Sequence, residues 1–456
     1  MRKRSGSSSA SVSSPRIVII ISGGQTGVDR AALDVAAKLG LKSGGWCPRG
    51  RLAEDGPLHP DYPLRETLAE TPEQRTVWNT FDSDATLIIA PREGALQGGS
   101  RLALQTAKQY GRPALVAAPE GLEEAASWLD SLSGVRLLNI AGPRASEWHG
   151  AYPAATAFLT ALLEGRVRDP VSLPRVLITG GSGFLARHLV EAAPSGWEVY
   201  VPTRSGAGGA AGPAAELSDP AEVGSLFASV QPSVVIHTAY GARYGDRDIV
   251  AATRHVASAA RGVGARLIHI SSDMVLDGES APFEESAEPA PVHEYGRWKS
   301  SAEALAREAG TATSIVRISL LTRFSPPDPR TEWVLSGLRG EVKCELFTDE
   351  LRTPTLVEDA ARQVWEIVGL GGTAEGVWHL ANPEAVSRYA LGCLVAAAYD
   401  LDPRLLVASS LQQSRAVRPR DLRLLTARAD RRLPTRSRTL SELVSECRAQ
   451  TRSNFN

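Results

Sequence analysis

The sequence predicts an α/β protein built from two parallel-sheet domains in tandem, the second carrying a smaller C-terminal subdomain. Three observations predict it. Apolar runs alternate with amphipathic stretches, the order expected of parallel strands joined by crossover helices. The alternation breaks once, around residues 164–173, and then restarts. Each half opens with a buried strand that feeds a glycine-rich turn and a helix. The length of 456 residues fits two domains better than one core.

Composition narrows the class. An apolar share of 43 %, a charged share of 22 % and a net charge of -1 give no general attraction to nucleic acid or to anionic membranes. The run Ile17–Ile21 is far short of the roughly 20 residues of a membrane span, and no signal-peptide cleavage pattern follows it, so a cytoplasmic location is expected. Cys47, Cys344, Cys393 and Cys447 are scattered, with no C-x-x-C pair and no nearby histidine spacing. They read as reduced thiols, with no metal site expected.

Residues 1–15 are Ser-rich and basic without periodic apolar residues, and are expected to form a disordered tail. The first domain spans 16–163, with strands at Arg16–Ser22, Ala85–Ala90 and Ala114–Ala118 and helices at Arg30–Leu39, Ser100–Tyr110 and Ala154–Leu163. Residues 164–173 carry charge and proline without an amphipathic period, and read as the linker. The second domain spans 174–456, with strands at Arg175–Thr179, Glu198–Pro202, Ser233–Thr238 and Arg266–Ser271, and becomes irregular after about Arg323.

In the second domain the strand runs into Gly180-Gly181-Ser182-Gly183-Phe184-Leu185-Ala186 and a helix. Glycines there let the chain turn tightly and let a pyrophosphate approach the backbone, while Ala186 lets the helix pack close to the strand. The N–H groups and dipole of the helix start favour an anion. This is the Rossmann-like arrangement, although glycine turns of this kind also occur without a ligand. At the end of the second strand, where an NAD-binding fold places an acid against the ribose, stand Thr203-Arg204-Ser205. A cation and two hydroxyls suit a 2′-phosphate, and so NADP(H); a solvated loop arginine is the plainer alternative. Ser271-Ser272-Asp273 closes a strand, and Tyr295 and Lys299, four apart, share a helix face. A phenol with a reference pKa of about 10 exchanges protons poorly at neutral pH until a cation stabilises its phenolate, which Lys299 can do.

In the first domain, Gly23, Gly24, Gln25, Thr26 and Gly27 form a glycine-rich turn between strand and helix, and Gly98, Gly99 and Ser100 form a second. Two such turns at the C-terminal ends of parallel strands would face one crevice and bind an anion. Neither is a Walker A loop, since no G-K-[ST] follows. Asp29, Glu54 and Asp55 read as solvated surface carboxylates.

The residues from 174 to 433 resemble the extended short-chain dehydrogenase/reductase superfamily and, more narrowly, the dTDP-4-dehydrorhamnose reductase type. The resemblance rests on TGGSGFLA, VVIHTAY at 234–240, ISSDMVLDG at 270–278, YGRWK at 295–299, DELRTPT at 349–355 and GVWHLANPEAVSRYAL at 376–391. It implies a catalytic triad of Ser272, Tyr295 and Lys299, with tyrosine giving a proton to the carbonyl oxygen while NADPH gives hydride to carbon. It implies cofactor contacts from Gly180, Gly183, Phe184, Leu185, Arg204, His237, Ala239, Tyr295 and Lys299, and a nucleotide-sugar pocket built after about Leu320. The implied reaction is reduction of a nucleotide-linked 4-keto-6-deoxy sugar. Relatives that are non-catalytic NADP-binding regulatory subunits, and epimerases or reductases of other nucleotide sugars, supply the alternatives. A homodimer is left open. Two places depart from the pattern: Met274-Val275-Leu276 replaces an aromatic-rich strand end, and an asparagine is replaced within Val250–Thr253.

Residues 16–163 resemble the molybdenum carrier family of Rossmann proteins, which is similar to lysine-decarboxylase-like proteins. SGGQTGVDRAALD, GGWCPRGRLAEDGP at 44–57, YPLRET at 62–67, RTVWN at 75–79, DSDATLI at 82–88 and LNIAGPRASEW at 138–148 carry it. The resemblance implies a pocket for a nucleotide or a phosphorylated pterin such as the molybdenum cofactor, with Arg49, Arg51, Arg75 and Arg144 as anion partners.

Overall fold

The computed structural model describes residues 17–94, 96–164, 172–204, 213–241, 245–414 and 417–453. Residues 1–15, most of the linker and Ser205 lie outside these. Apart from the turn Pro194–Gly196, the first compact unit ends at Leu173 and the second starts at Pro174.

In the first unit the helices bury small and branched residues at helical spacing against short apolar strands. Strand β1 (Ile19–Ile21) is buried throughout, and helix α1 (Val28–Lys38) turns Val28, Ala31, Ala32, Val35 and Ala36 to the core. There follow β2 (Lys42–Gly44), α2 (Pro72–Asp82), β3 (Ala85–Ile89), α3 (Gly98–Gln109), β4 (Ala114–Ala117), α4 (Leu122–Ser131), β5 (Leu137–Ala141) and α5 (Ala151–Leu163). The five strands form one parallel sheet in the order β2-β1-β5-β3-β4. Strands β2 and β5 and helices α2 and α4 come in addition to the expected elements.

The second unit repeats the principle with a longer sheet. Its elements are β6 (Arg175–Thr179), α6 (Phe184–Glu191), β7 (Glu198–Tyr200), α7 (Pro220–Val230), β8 (Val234–His237), α8 (Ala252–Val263), β9 (Arg266–Ser272), α9 (Glu294–Glu308) and β10 (Thr313–Ile318). After these come α10 (Pro329–Leu338), α11 (Val357–Gly369), β11 (Gly376–Leu380), α12 (Arg388–Ala398), α13 (Ala427–Arg432) and α14 (Leu440–Ser453). Six parallel strands run in the order β7-β6-β8-β9-β10-β11, and a single bridge, Thr203 to Ala214, extends the edge beyond β7. The strand order reverses between β6 and β8. A ligand crevice is expected there, outside the carboxyl ends of the strands.

Helix α11 shows how the core is closed. Val357, Ala360, Ala361, Val364 and Trp365 are buried against the sheet, and the Trp365 indole donates to the Leu189 carbonyl at 2.7 Å. A separate apolar cluster from α10, α12, α14 and the segment after α10, including Leu335, Cys344, Leu346, Val395 and Leu443, forms the core of the smaller subdomain. None of the four cysteines is joined in a disulfide. Among the described residues no helix is long and apolar enough to cross a membrane, and no group of three metal-ligating side chains occurs.

Candidate functional site

At the switch point of the second unit lies a cleft of about 820 Å³ lined by Gly180–Gly183, Thr203, Arg204, Thr238–Gly241 and Asp248. Gly180 has a φ of 77°, and a side chain there would come within 2.8 Å of the Ala239 backbone. The position therefore demands glycine on both counts. Helix α6 begins at this turn without a side-chain cap, leaving its first N–H groups to the cleft. The cleft and the uncapped helix start together fit a dinucleotide.

Of the expected cofactor residues, Gly180, Gly183, Arg204 and Ala239 line the cleft. Three others do not present their side chains to it. Leu185 is buried in the apolar core and Phe184 packs on that core and edge-on to His188, because the first turn of α6 must cover the sheet. Only backbone is available at these two positions. His237 is 1 % exposed, and its ring is held between the Thr179 hydroxyl at 2.7 Å and the Thr253 hydroxyl at 3.1 Å. Burial, with Lys299 adding to it, lowers its pKa to about 3, so the ring is neutral and structural. The strand ends at His237, so that ring stays inside the sheet, while Thr238 and Ala239, in the loop beyond it, line the cleft.

Arg204 is not a free cation. Its guanidinium, 58 % exposed, meets Asp248 at 2.8 Å and Glu216 at 3.1 Å. Asp248, held also by Arg247 at 2.8 Å, escaped the sequence reading because its partner is 44 residues away.

The second group of residues sits where β9 ends and α9 begins. Ser272 donates to Asp273 at 3.1 Å and accepts from the Met274 N–H at 3.3 Å, and its hydroxyl is also within hydrogen-bonding reach of the Tyr295 phenol. Burial raises the Tyr295 pKa above that of a free phenol, with Tyr240 and Asp273 adding to the rise and Ser272 and Arg330 opposing it. Tyr240, which lines the cleft, meets the Tyr295 ring edge-on at 5.8 Å. Lys299 donates to the Ile270 carbonyl at 2.6 Å, and burial lowers its pKa to about 8 while Glu303 raises it. Ser272 and Tyr295 are thus brought near each other by one strand end and one helix start, while Lys299, one turn on, gives its ammonium to the Ile270 carbonyl.

Glu303, one turn beyond Lys299, is fully buried and explains how this geometry is held. It accepts from Arg317 at 3.0 and 2.9 Å and from the Ser271 hydroxyl at 2.5 Å, tying α9 to β9 and β10. Sequence reasoning missed it, since nothing local marks a glutamate on an amphipathic helix as the buried one.

The first unit has its own cleft, about 320 Å³, lined by Gln25, Gly98, Gly99, Arg75, Arg101 and Arg144 among others. The other expected residues are used differently. A side chain at Gly23 would collide with the Arg75 guanidinium, and one at Gly24 with Leu64, while Gly27 packs on the Pro143 carbonyl. These glycines serve close packing. Thr26 donates to Glu54 and accepts from Ala145 N–H, and Ser100 is buried in α3. Arg51 gives its hydrogen bonds to the carbonyls of Leu58, His59, Tyr62 and Leu64, which removes it as an anion partner; Arg49 pairs with Glu70. Arg144 pairs with Glu147 at 3.0 Å. Nor is Asp29 a surface carboxylate: it is 2 % exposed and paired with Arg75 at 2.8 Å. Glu54 and Asp55 are tied to Ser146 and Arg30.

Residues 174–453 match the RmlD substrate binding domain family. The chain belongs to that family. Residues 20–163 match the circularly permutated YpsA SLOG family. The chain is 30 % identical over 262 residues to methionine adenosyltransferase 2 subunit beta of Xenopus laevis, covering 52 % of this chain and 75 % of that protein. Among solved structures it is similar to dTDP-4-dehydrorhamnose reductase of Bacillus anthracis str. Ames in complex with NADP, at 19 % identity and a TM-score of 0.54, covering 62 % of this chain and 100 % of that one. A molybdenum carrier protein of Syntrophus aciditrophicus SB is 44 % identical, covering 33 % of this chain and 96 % of that one, with a TM-score of 0.31. The second unit is therefore an RmlD substrate binding domain in family and Rossmann-like in fold.

Proposed function

We propose that the second unit is an NADP(H)-dependent reductase of a nucleotide-linked 4-keto-6-deoxy sugar. The observation that supports this reading is Tyr295 held near Ser272 at the end of β9, with its ring against Tyr240 of the Rossmann cleft. The cofactor, when bound, supplies hydride to the carbonyl carbon. Tyr295 gives its proton to the carbonyl oxygen, Ser272 hydrogen-bonds the developing alkoxide, and the Lys299 ammonium favours the phenolate that remains. The test is oxidation of NADPH by the full chain on addition of dTDP-4-dehydro-6-deoxy-L-mannose. Oxidation that needs no sugar, or none with any nucleotide keto sugar, would remove the reading.

Two further expectations concern the cofactor. Arg204→Ala should weaken NADPH by about tenfold or more, the scale of a lost charge-assisted hydrogen bond, and leave NADH nearly unchanged. Asp248 and Glu216 would then face the 2′-phosphate without their counter-charge. An unchanged NADPH to NADH preference would contradict this role. Lys299, with its pKa lowered to about 8, should lose its proton as pH rises through that value. Cofactor affinity should fall over the same range, and Lys299→Met should bind weakly with no such inflection. A flat profile between pH 7 and 9 in the unsubstituted protein, in a titration following nicotinamide fluorescence, would speak against the ammonium as a cofactor contact.

A second reading has its own support. The likeness to proteins named as a methionine adenosyltransferase subunit, together with Met274 in place of an aromatic residue, fits a unit that holds NADP(H) and regulates a partner. It predicts tight NADPH binding without turnover. For the first unit we propose a nucleotide or a phosphorylated pterin, such as the molybdenum cofactor, in the cleft beside Arg75, Arg101 and Arg144.

A further inference from the structure

After β7, where a fold that binds an unphosphorylated ribose places an acid, the sequence has Thr203, Arg204 and Ser205. The folded chain brings two carboxylates to Arg204 from elsewhere. Asp248 stands in a π-helical turn, Asp246–Ala251, that leads into α8, and Glu216 lies just past the bridge from Thr203 to Ala214. Both line the cleft of about 820 Å³ together with Arg204. Turns of the π type are rare and frequent at functional sites, and this one sets an acid 44 residues away against the arginine. Close packing keeps it there, since a side chain at Gly241 would collide with the Asp248 carboxylate.

The charges of this group cancel. Arg204 reaches Asp248 through Nη2 at 2.8 Å and Glu216 through Nε at 3.1 Å, and Arg247 reaches the same Asp248 oxygen at 2.8 Å. Burial alone would raise the Asp248 pKa, but the two arginines outweigh it and hold the carboxyl below its ordinary value, so the charge is present at neutral pH. Glu216 is fixed in turn by the Ser218 N–H at 3.2 Å. Two guanidiniums therefore face two carboxylates. Among the described residues, the other charged groups lining the cleft are Arg187 and Glu191, again one of each sign. A 2′-phosphate, with a charge of about -1.5 to -2, thus meets no surplus of positive charge and is repelled by both acids. A ribose 2′-hydroxyl is not repelled, because it can donate to either of them.

We propose that Asp248 competes with the cofactor's 2′-phosphate for Arg204, and thereby sets how strongly the cleft prefers NADP(H) over NAD(H). Glu216 acts in the same direction from the rim, its side chain being 34 % exposed against 6 % for Asp248. The inference rests on the NADP(H) reading and needs no turnover. Phosphate binding draws Arg204 away from Asp248, whose charge is then balanced by Arg247 alone. That exchange costs affinity for the phosphorylated cofactor and not for the other.

The test is calorimetric titration of the full chain with NADP+ and with NAD+. Asp248→Asn keeps the side chain's shape and removes its charge. It should tighten NADP+ by about tenfold, the scale of one partly screened charge contact, and leave NAD+ nearly unchanged. Glu216→Gln should move the ratio the same way by a smaller factor, and at this more exposed position it serves even where Asp248→Asn lowers the melting temperature. In an Arg204→Ala background the gain from Asp248→Asn should shrink, because no guanidinium is left to release. An equal gain with and without Arg204 would overturn the competition. NADP+ affinity unchanged or lowered in both carboxylate variants would overturn the proposal, a lowered affinity meaning that the acids hold Arg204 in place for the phosphate. Binding of NAD+ alone by the unsubstituted chain and by every variant would remove the NADP(H) reading and this proposal with it. A raised NADP+ to NAD+ ratio in a protein that reduces no keto sugar would sustain the proposal and remove the reductase reading alone.

Discussion

Tyr295→Phe is expected to lower carbonyl reduction by roughly 10² to 10⁴, the range for a lost general acid, while NADPH binding persists. The substitution keeps the ring and its edge contact with Tyr240 at 5.8 Å and removes only the hydroxyl that Ser272 reaches. The raised phenol pKa means that the proton is present at neutral pH and is released only as the alkoxide forms. Measuring kcat and KM separately checks the assignment. A fall in kcat with KM held marks a group used in the transition state, whereas a rise in KM alone would mark a binding contact. Ser272→Ala should act in the same direction by a smaller factor, through the lost bond to the alkoxide.

Arg317→Leu is expected to destabilise the second unit by about 3–5 kcal/mol, the cost of leaving a buried charge without its partner. Arg317 and Glu303 are both fully buried and joined by two hydrogen bonds, and Glu303 also receives the Ser271 hydroxyl and Arg307. For a unit of this size the melting midpoint should drop by roughly 10 °C. Replacing both partners by apolar residues of similar volume should restore much of the loss, because no unpaired charge then remains. Equal destabilisation in the single and double variants would show that packing, rather than charge pairing, holds α9 to the sheet.

These two predictions also mark what the sequence could and could not reveal. Gly180, Tyr295 and Lys299 were legible because their signals are local: a strand run, a positive-φ turn, a spacing of four on one helix. The direction of a side chain was less legible. His237 and Ala239 lie two apart, yet one is locked between threonines inside the sheet and the other lines the cleft. Leu185 sits in the expected turn but fills the core. Partners distant in sequence were not legible at all. Arg204 finds Asp248, and Glu303 finds Arg317. DELRTPT was visible as a motif, but that Glu350 is shared between Arg352 and Arg418 depends on folding of the smaller subdomain. In the first unit the glycine turn was plain, while its use for packing against Arg75 needed the coordinates of α2.

The central claim is that Tyr295 serves a carbonyl to which the bound cofactor delivers hydride, and isotope transfer tests it most directly. The full chain would be mixed with NADPH deuterated at the transferable nicotinamide position and with dTDP-4-dehydro-6-deoxy-L-mannose, and the sugar product weighed by mass spectrometry. The account predicts one deuterium per reduced sugar in the unsubstituted protein and almost none in the same time with Tyr295→Phe. Cofactor that binds tightly while every nucleotide keto sugar is recovered unreduced and unlabelled would contradict it.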